Sequence, residues 1–440
     1  MPAGEPGPKS GATFYSVSDT GAIERSQAKT QPRLIVPDLA RGLALAGIAM
    51  ANATTAWMIN DFHGSHIPGH TMGGMRDGSV IDQIAVVFSA IFVHCRGLPM
   101  FTTLLGYGVG LVAASAWRKR YPAPAARKML VRRYGFLALF GCLHLLFFYG
   151  DIMLTYGIIG IVIALLFAAS TKTLRIIAYT VLVIGTVLGS FGAFMSYQFG
   201  APVTGFDLPE TTGMTSVGIY FTVNGQTSLS MLASAPFNAL YLGGLALIGY
   251  VWAREGILVN VDRHKRTLWS WVILGAAVAL GVGIPWAMAA LGQLDPALEE
   301  PLSFLNVTLG LFTGPAILAA IALATNGVQK RMYAEADATG QAEPPAWARP
   351  FVALGKRSMS GYLAQTVLFI LLVMPFTLGL GLEFSVTGKL LTGLGIWAVT
   401  LILATVMERA GIPGPFEQVH RRASYGATRR LEPYAIEQSQ

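Results

Sequence analysis

Long, uninterrupted apolar runs recur along this chain and constrain its fold more than any other feature. Each of ten runs has about the 17–25 residues that an α-helix needs to cross the hydrocarbon core of a bilayer. The runs are 34–58, 98–117, 134–150, 152–169, 174–197, 233–253, 267–291, 303–325, 358–380 and 387–407. Open strands cannot span lipid, because lipid offers no partner for their unpaired backbone groups. The sequence therefore predicts an all-α integral membrane protein with about ten transmembrane helices.

Composition agrees with this class. Of the 440 residues, 53% are hydrophobic and only 12% are charged, whereas soluble domains are roughly a quarter charged. The two cysteines, Cys95 and Cys142, lie in apolar sequence, so a disulfide framework is excluded. The chain is thus unlike a soluble enzyme or a small secreted domain.

The distribution of basic residues predicts the orientation. Lysine and arginine concentrate in alternate breaks between the apolar runs, at 118–133, 172–175, 254–266 and 330–357, and in both tails. The breaks on the other side, 198–232 and 292–302, have none. The positive-inside rule then places both termini in the cytoplasm of a multi-pass cell-membrane protein. The net charge of +8 needs no nucleic acid, since anionic membrane lipids are a sufficient partner.

The same pattern divides the chain into five parts. We expect a disordered cytoplasmic tail, an N-terminal transmembrane bundle, an external loop, a C-terminal transmembrane bundle and a basic cytoplasmic tail, at 1–32, 33–197, 198–232, 233–407 and 408–440. A 35-residue loop without structure is uncommon unless it is functional. It either covers an external cavity or contains a short interfacial helix at 215–224.

The shorter apolar stretch 80–94 needs a separate interpretation. It joins a loop predicted to be external to one predicted to be internal, so the chain must cross an odd number of times in between. One long tilted helix fits, and so does a re-entrant piece followed by one crossing. We expect a re-entrant or half-buried helix, because Gly97 and Pro99 follow it and broken backbone at membrane depth is tolerated only against protein.

Ionisable residues inside apolar runs are costly and usually face a bundle interior. Asp38 and Arg41 are three residues apart on one helix face and can pair. This pair either sets the depth of the helix or begins a polar stripe that continues to Asn52. We expect five ionisable residues to face the interior of the bundle rather than lipid. They are Asp38, Arg41, Asp82, Arg96 and His144.

Several histidines are candidate bases. His144 lies near the rim of its predicted helix and is a neutral core histidine, a general base or a proton-relay member. Asp151, which opens the next helix, is predicted to cap it. His63, His66 and His70 have the spacing of a metal site, but glycine and proline interrupt the segment, so we expect a loop without a metal. Its histidines are then solvated or contact a substrate.

Nucleotide-binding and zinc-protease motifs are absent from the sequence. The glycines at 106, 108 and 110 lie within an apolar helix, where they indicate close helix packing rather than a phosphate loop.

Five motifs in order resemble the YeiB-like family of bacterial multi-spanning membrane proteins, whose C-terminal half is catalogued as a domain of unknown function. The matching residues span 33–426 and include Arg33, Asp38, Arg41, Gly42 and Asn52, then Arg96, Phe101, Gly106 and Gly108, then His144, Gly150, Asp151 and Tyr156, then Gly355, Lys356, Arg357, Ser358, Ser360, Tyr362 and Gln365, and finally Gly414, Pro415, Phe416, Glu417 and Arg421. The resemblance implies the fold more clearly than an activity.

A looser likeness links the chain to transmembrane acyltransferases of the heparan-glucosaminide acetyltransferase type. Those proteins also begin with Asp-x-x-Arg-Gly and use a histidine to pass an acyl group from a cytoplasmic thioester to an acceptor. Asp82 is similar to their later aspartate, and His63, His66 or His70 to their histidine, although no tryptophan follows these histidines before Asp82.

The resulting hypothesis is an acyltransferase for an envelope glycan or lipid, with acyl-CoA as donor. Its candidate catalytic residues are His144, Asp151, Asp38 and Asp82, and its candidate substrate- and donor-binding residues are Arg41, Asn52, Arg96, Lys356 and Arg357. A proton-coupled or small-molecule transporter uses similar intramembrane charges. A structural factor without turnover is the third alternative.

Overall fold

In the computed structural model, residues 33–199 and 209–434 are described, and these residues form helices and connecting turns without a strand. The predicted tail 1–32 lies outside the described residues, as do positions 435–440 of the predicted basic tail. The helices are α1 (Ile35–Asn52), α2 (Val80–Phe88), α3 (Gly97–Arg118), α4 (Ala123–His144), α5 (Met153–Leu165), α6 (Thr171–Phe199), α7 (Val217–Glu255), α8 (Lys265–Ala290), α9 (Glu299–Leu309), α10 (Thr313–Thr339), α11 (Arg349–Lys356), α12 (Ser358–Val373), α13 (Val386–Arg409) and α14 (Pro415–Tyr425).

Seven helical stretches within the described residues are long and apolar enough to cross a membrane. They are Ile35–Trp57, Val80–Arg118, Thr171–Phe199, Val217–Glu255, Lys265–Ala290, Pro296–Thr339 and Val386–Arg409. The apolar helices α5 and α12 are shorter than a full span. The predicted all-α, membrane-type fold is confirmed, while the count of ten crossings stays a prediction.

Positions 200–208 of the predicted loop 198–232 lie outside the described residues, and from Val217 onward the segment is helical, which agrees with the start of the alternative helix at 215–224 but not with its short length. The helix α7 begins there and continues without interruption for 39 residues, and a short 3-10 turn, Thr211–Gly213, precedes it. Ser216 starts the helix because its side chain accepts a hydrogen bond from the backbone N–H of Ile219. Pro236 lies inside α7, as lipid-facing helices allow when neighbouring groups satisfy the freed carbonyl.

The predicted break after residue 94 is confirmed. The helix α2 continues as a π-helix, Ser89–Val93, and stops at His94, and Cys95 adopts a left-handed backbone conformation before α3 begins at Gly97. The outer face of this segment is apolar and open, since Ile81, Ile84 and Phe92 are each more than 60% exposed. Such a face suits contact with lipid chains.

Glycines allow the closest helix crossings. A Cβ atom on Gly42 of α1 would lie 2.2 Å from the carbonyl oxygen of Phe351 in α11, and one on Gly355 of α11 would lie 1.8 Å from that of Asp38. Both distances are far inside van der Waals contact, so only glycine fits at these positions. The close helix packing expected of the glycine run in α3 is also confirmed, because a Cβ on Gly106 would lie 1.7 Å from the Ala246 oxygen.

One hydrophobic core contains helices from both predicted bundles. Leu104 and Tyr107 of α3 pack in the same buried cluster as Leu245 and Ile248 of α7 and Leu318 of α10. The division into two bundles stays a prediction, but this core couples them directly.

The last helix, α14, closes the end of the bundle that carries most basic residues. Glu417 accepts hydrogen bonds from the backbone N–H groups of Met359 and Ser360 at the start of α12, at 2.8 and 3.1 Å. A carboxylate is favourable at this helix terminus because the free N–H groups carry partial positive charge. The Gly-Pro-Phe-Glu motif therefore has a capping role.

We expect Gly355→Ala to destabilise the protein strongly, because the added methyl group would collide with the main chain of α1. Overpacking of this kind typically costs about 1–3 kcal/mol. Thermal unfolding in one detergent would measure the change. The matched control is Gly395→Ala in α13, where nothing lies within 4 Å of an added Cβ. Equal melting temperatures for the two variants would contradict this packing.

Candidate functional site

A cavity of about 1140 Å³ enters the bundle at the end opposite the basic loops. Exposed residues such as Asp61 and His66 lie at its rim, and Gly47 and Ile48 in the middle of α1 lie at its floor. Four histidines line it, namely His63, His66, His70 and His94. Its volume is slightly above the usual range for small-molecule sites, about 300–1,000 Å³.

The cavity changes from polar to apolar with depth. Asn52 lies in its wall, but only glycine and apolar residues separate it from Arg41, so no continuous polar stripe runs along α1 to the site. The floor consists of Ile48, Leu98 and Ile152. Below them α1 and α3 touch, because a Cβ on Gly97 would lie 2.9 Å from the carbonyl oxygen of Ala44. The cavity is therefore closed toward the basic end.

His63 ties the first loop to the end of α1. Its Nε2 donates to the carbonyl oxygen of Thr54 at 2.7 Å, so its Nδ1 accepts from the Asn60 backbone N–H and from Lys389, at 3.3 and 3.2 Å. Burial and then the charge of Lys389 lower the pKa of His63 to about 4. His63 is therefore neutral at physiological pH, with both ring nitrogens engaged.

Lys389 is a charged group that sequence reasoning missed. It is fully buried at the start of α13 and donates to the side-chain oxygen of Asn60 at 2.7 Å and to the Gly73 carbonyl at 2.9 Å. The signal was present, since a single lysine interrupts the apolar run 387–407 on the side otherwise poor in basic residues. It fixes the first loop from behind the cavity wall.

His70 and Glu299 form a carboxylate–histidine pair in the cavity wall. His70 Nδ1 lies 3.4 Å from a Glu299 oxygen, and His70 Nε2 lies 3.5 Å from Glu300. Glu299 is 3% exposed and is held by the backbone N–H groups of Gly69 and Thr71, at 3.1 and 3.0 Å. Burial opposes protonation of His70, but the hydrogen bond and charge of Glu299, with those of Glu300, raise its pKa.

Sequence reasoning did not single out either glutamate, because both lie in the break 292–302, far along the chain from the histidines. Trp286 joins the same network by donating from its indole nitrogen to the hydroxyl of Thr71 at 3.0 Å. Only the folded packing of α8 and α9 against the first loop brings these groups together.

Arg96 stabilises the break between α2 and α3. Its guanidinium donates to the carbonyls of Ile91 and Ala90 at 2.8 and 3.0 Å and to the side-chain oxygen of Asn306 at 3.0 Å. The π-helix ends there and leaves carbonyl groups without helical partners. The predicted substrate-binding residue thus serves the backbone in this structure.

Asp82 connects α2 to the start of α13. It accepts hydrogen bonds from the hydroxyls of Ser385 and Thr387, at 2.9 and 2.5 Å, and from the backbone N–H of Arg76 at 3.0 Å. It is buried at 2% exposure and is not among the residues that line the cavity.

His144 and Asp151 form a second buried pair. The His144 Nδ1 lies 2.7 Å from an Asp151 oxygen, and its Nε2 lies 2.9 Å from the hydroxyl of Thr366. Asp151 also accepts from the backbone N–H of Leu154 at 2.8 Å, which confirms the predicted helix cap. Neither His144 nor Asp151 lines the cavity, although the neighbouring Ile152 does.

At the basic end, the predicted pair of Asp38 and Arg41 is confirmed at 3.2 Å, and Arg33 adds a second contact to Asp38 at 2.6 Å. The candidate donor-binding residues Lys356 and Arg357 both contact Glu408, at 2.6 and 2.5 Å. These contacts occupy the cations in the described conformation.

The predicted inward orientation of the intramembrane charges is confirmed. Asp38, Asp82, Arg96 and His144 are at most 5% exposed, and Arg41 is ion-paired with 21% of its side chain exposed. Within residues 33–199 and 209–434, no three His, Cys, Asp or Glu residues come together as a metal would require.

The fold and cavity define a multi-spanning helical membrane protein with a one-sided internal site. Residues 252–427 match the model of the family described as "Protein of unknown function (DUF418)". The chain is 23% identical over 419 residues to the uncharacterized protein YxaH of Bacillus subtilis (strain 168), covering 90% of this chain and 95% of that protein. It is 23% identical over 423 residues to the uncharacterized protein YeiB of Escherichia coli (strain K12), covering 90% and 97%. The resemblance to the YeiB-like family is thereby confirmed.

The low pKa of His63 predicts a pH-dependent contribution to stability. A histidine that resists protonation in the folded state, with a pKa of about 4 against 6.5 unfolded, stabilises the fold above pH 6.5. That contribution decreases as the pH falls from 6.5 to 4, by at most about 3 kcal/mol. We expect His63→Gln to lose less stability than the wild type between pH 7.5 and 4.5, measured by thermal unfolding. Parallel losses in both proteins would show that His63 titrates normally.

Proposed function

We propose that this protein is a membrane-embedded acyltransferase whose acceptor binds in the large cavity and whose general base is His70. The observation that carries this proposal is the pairing of His70 with the buried Glu299 at the cavity wall, 3.4 Å apart. A fixed carboxylate behind a histidine orients the ring and stabilises its protonated form after proton transfer.

In this reaction, His70 takes the proton from a hydroxyl or amine of the acceptor. The acceptor oxygen or nitrogen attacks the thioester carbonyl, the carbon–sulfur bond breaks, and the thiolate leaves and takes up a proton. Base catalysis of this kind typically contributes about 10²–10⁴-fold in rate. The raised pKa of His70 makes it a stronger base, provided that the pH is high enough to deprotonate it.

The shape of the cavity suggests an amphipathic acceptor. Polar groups such as Asn52 and Thr55 lie nearer the rim, whereas Ile48 and Leu98 form the floor. An envelope glycan attached to lipid, or a lipid itself, has this distribution. The proposed acyl donor is acyl-CoA, and it approaches from the basic end of the bundle. Arg41 lies there, and one nitrogen of its guanidinium group contacts Asp38.

We also propose ten crossings of the cell membrane, with the basic end and both termini in the cytoplasm. The support is the concentration of basic residues at one end of the bundle. The cavity then opens toward the envelope. In this topology α4 and the short apolar helices α5 and α12 are counted as crossings in addition to the seven long stretches, and the α2 segment is half-buried.

Transport of a small molecule is the second candidate function. Its support is the floor at Gly47 and Gly97, which closes the cavity near the middle of α1. A cavity that is open to one side at a time is what alternating access requires. For acyl transfer, the floor of the cavity must open before a donor from the basic end can reach an acceptor in the cavity.

We expect His70→Gln to lower acyl transfer by 10²-fold or more. His66→Gln is the matched control, because His66 lines the same cavity but is exposed at its rim. The assay uses membranes, a labelled acyl thioester and envelope extract. Full activity of the His70 variant would exclude His70 as the base and leave His144 as the remaining candidate. Solute uptake by wild-type vesicles without any acyl transfer would favour the transporter.

The pH profile separates a catalytic from a structural role of Glu299. As a base, His70 acts when deprotonated, so the rate should rise with pH through a midpoint above 6.5. Removing the negative charge in Glu299→Gln lowers the pKa of His70, so the midpoint should move to lower pH. A uniform loss of rate with an unchanged midpoint would contradict this assignment.

Cysteine labelling tests the orientation. In a Cys95→Ser, Cys142→Ser background, Gly213→Cys should react with a membrane-impermeant reagent in intact cells, whereas Gln341→Cys should react only after lysis. The reverse pattern would overturn the topology.

A further inference from the structure

A second cavity, of about 520 Å³, lies at the basic end of the bundle. The start of α1, the turn between α7 and α8, and the last turns of α10 surround it. One wall is apolar and contains Val36, Leu258, Val259, Val261 and Ala322. The other wall carries polar and charged groups, which are Asn260, Asp262, Arg263, Asn326, Gln329, Lys330, Tyr333 and Asp337.

Gln329 lines this cavity and carries a buried hydrogen-bond donor. Its side-chain oxygen accepts from the backbone N–H of Ile35 at 2.8 Å, so the identity of that atom as oxygen is fixed by its partner. The amide nitrogen therefore points away from Ile35. Gln329 is 5% exposed, and its nitrogen has no hydrogen-bond partner in the described part of the chain. Buried donors of this kind are rare unless a ligand or water takes them up.

The N-terminus of α1 adds positive potential at the same place. The first N–H groups of a helix have no partner within the helix and carry partial positive charge. Leu34, the residue that precedes α1, offers no side-chain cap, and Val36 in the first turn lines the cavity. Helix starts in this state bind phosphate groups readily.

The charged side chains leave one cation available. Lys330 and Lys265 contact Asp262 at 2.5 and 3.0 Å, and these contacts lower the pKa of Asp262 to about 2. Two lysines therefore share one carboxylate. Arg263 also lines the cavity and has no carboxylate within ion-pair distance among the described residues. The cavity lining contains a second carboxylate, Asp337, which also has an interaction partner.

We infer that this second cavity binds a phosphate group, held by the Gln329 amide, the start of α1 and Arg263. The oxygens of a phosphate accept several hydrogen bonds at once, and the planar guanidinium group of arginine matches two of them. The apolar wall accommodates the carbon chain attached to the phosphate. This inference is independent of the proposed acyl transfer.

Two sources can supply this phosphate, a phospholipid head group at the membrane surface and a soluble phosphoester. Calorimetric titration of the purified full chain, in an uncharged detergent, distinguishes them. The probes are inorganic phosphate and dihexanoyl phosphatidic acid. Binding of both, in competition, indicates a site for the phosphate alone, and binding of the lipid only indicates a head-group site. Binding of neither probe would overturn the inference.

Two variants locate the binding. Gln329→Glu keeps an oxygen for the Ile35 N–H but replaces the donor with a negative charge, so binding should weaken at least about tenfold. Arg263→Ala should weaken it by about tenfold, the usual effect of one charge-assisted hydrogen bond. The control is Arg331→Ala, an exposed neighbour outside the cavity lining. Unchanged affinity in both test variants, with normal melting temperatures, would show that the probe binds elsewhere.

Discussion

The need to pair every buried backbone group limits where this helical bundle can open. A continuous helix satisfies its own N–H and C=O groups, whereas a broken one at membrane depth does not. The large cavity lies where two helices depart from regular geometry, at the π-helix Ala53–Trp57 that follows α1 and at the break before α3. Arg96 and Asn306 take up the groups released at that break, with distances of 3.0 Å between them and 2.8 Å to Ile91. The cavity is thus maintained by buried polar side chains that form hydrogen bonds with backbone groups of the protein.

In this protein, charged residues at membrane depth stabilise the fold rather than bind a ligand. Arg96, Asp82 and Lys389 are costly in an apolar medium, and charged residues at such depth usually indicate a functional site. In the folded chain all three hold the backbone or hydroxyls of neighbouring segments. Side chains that act on a ligand must face it, and His70 lines the cavity with 13% of its side chain exposed, whereas His144 is 5% exposed and does not line it.

The sequence predicts the fold class well and the site only in part. Apolar run length suffices for an all-helical membrane protein, and glycine with proline suffices for the break after His94. The cap at Asp151 and the pair at Asp38 are local, so spacing reveals them. The contact of His70 with Glu299 joins residues 229 positions apart, and no periodicity connects them. A short helix at 215–224 was one of the two alternatives, but its continuation into the long helix α7 was missed because the first turns contain glycine and polar residues typical of a loop.

The crossing of α1 and α11 has a consequence for how this protein tolerates substitution. At Gly42 the obstacle to a larger residue is the carbonyl of Phe351, and at Gly355 it is the carbonyl of Asp38. Both obstacles are main chain, so trimming a neighbouring side chain cannot restore the fit. A suppressor of either substitution must instead displace a whole helix. Because α1 also forms the floor and wall of the large cavity, such a displacement would alter the cavity together with the crossing.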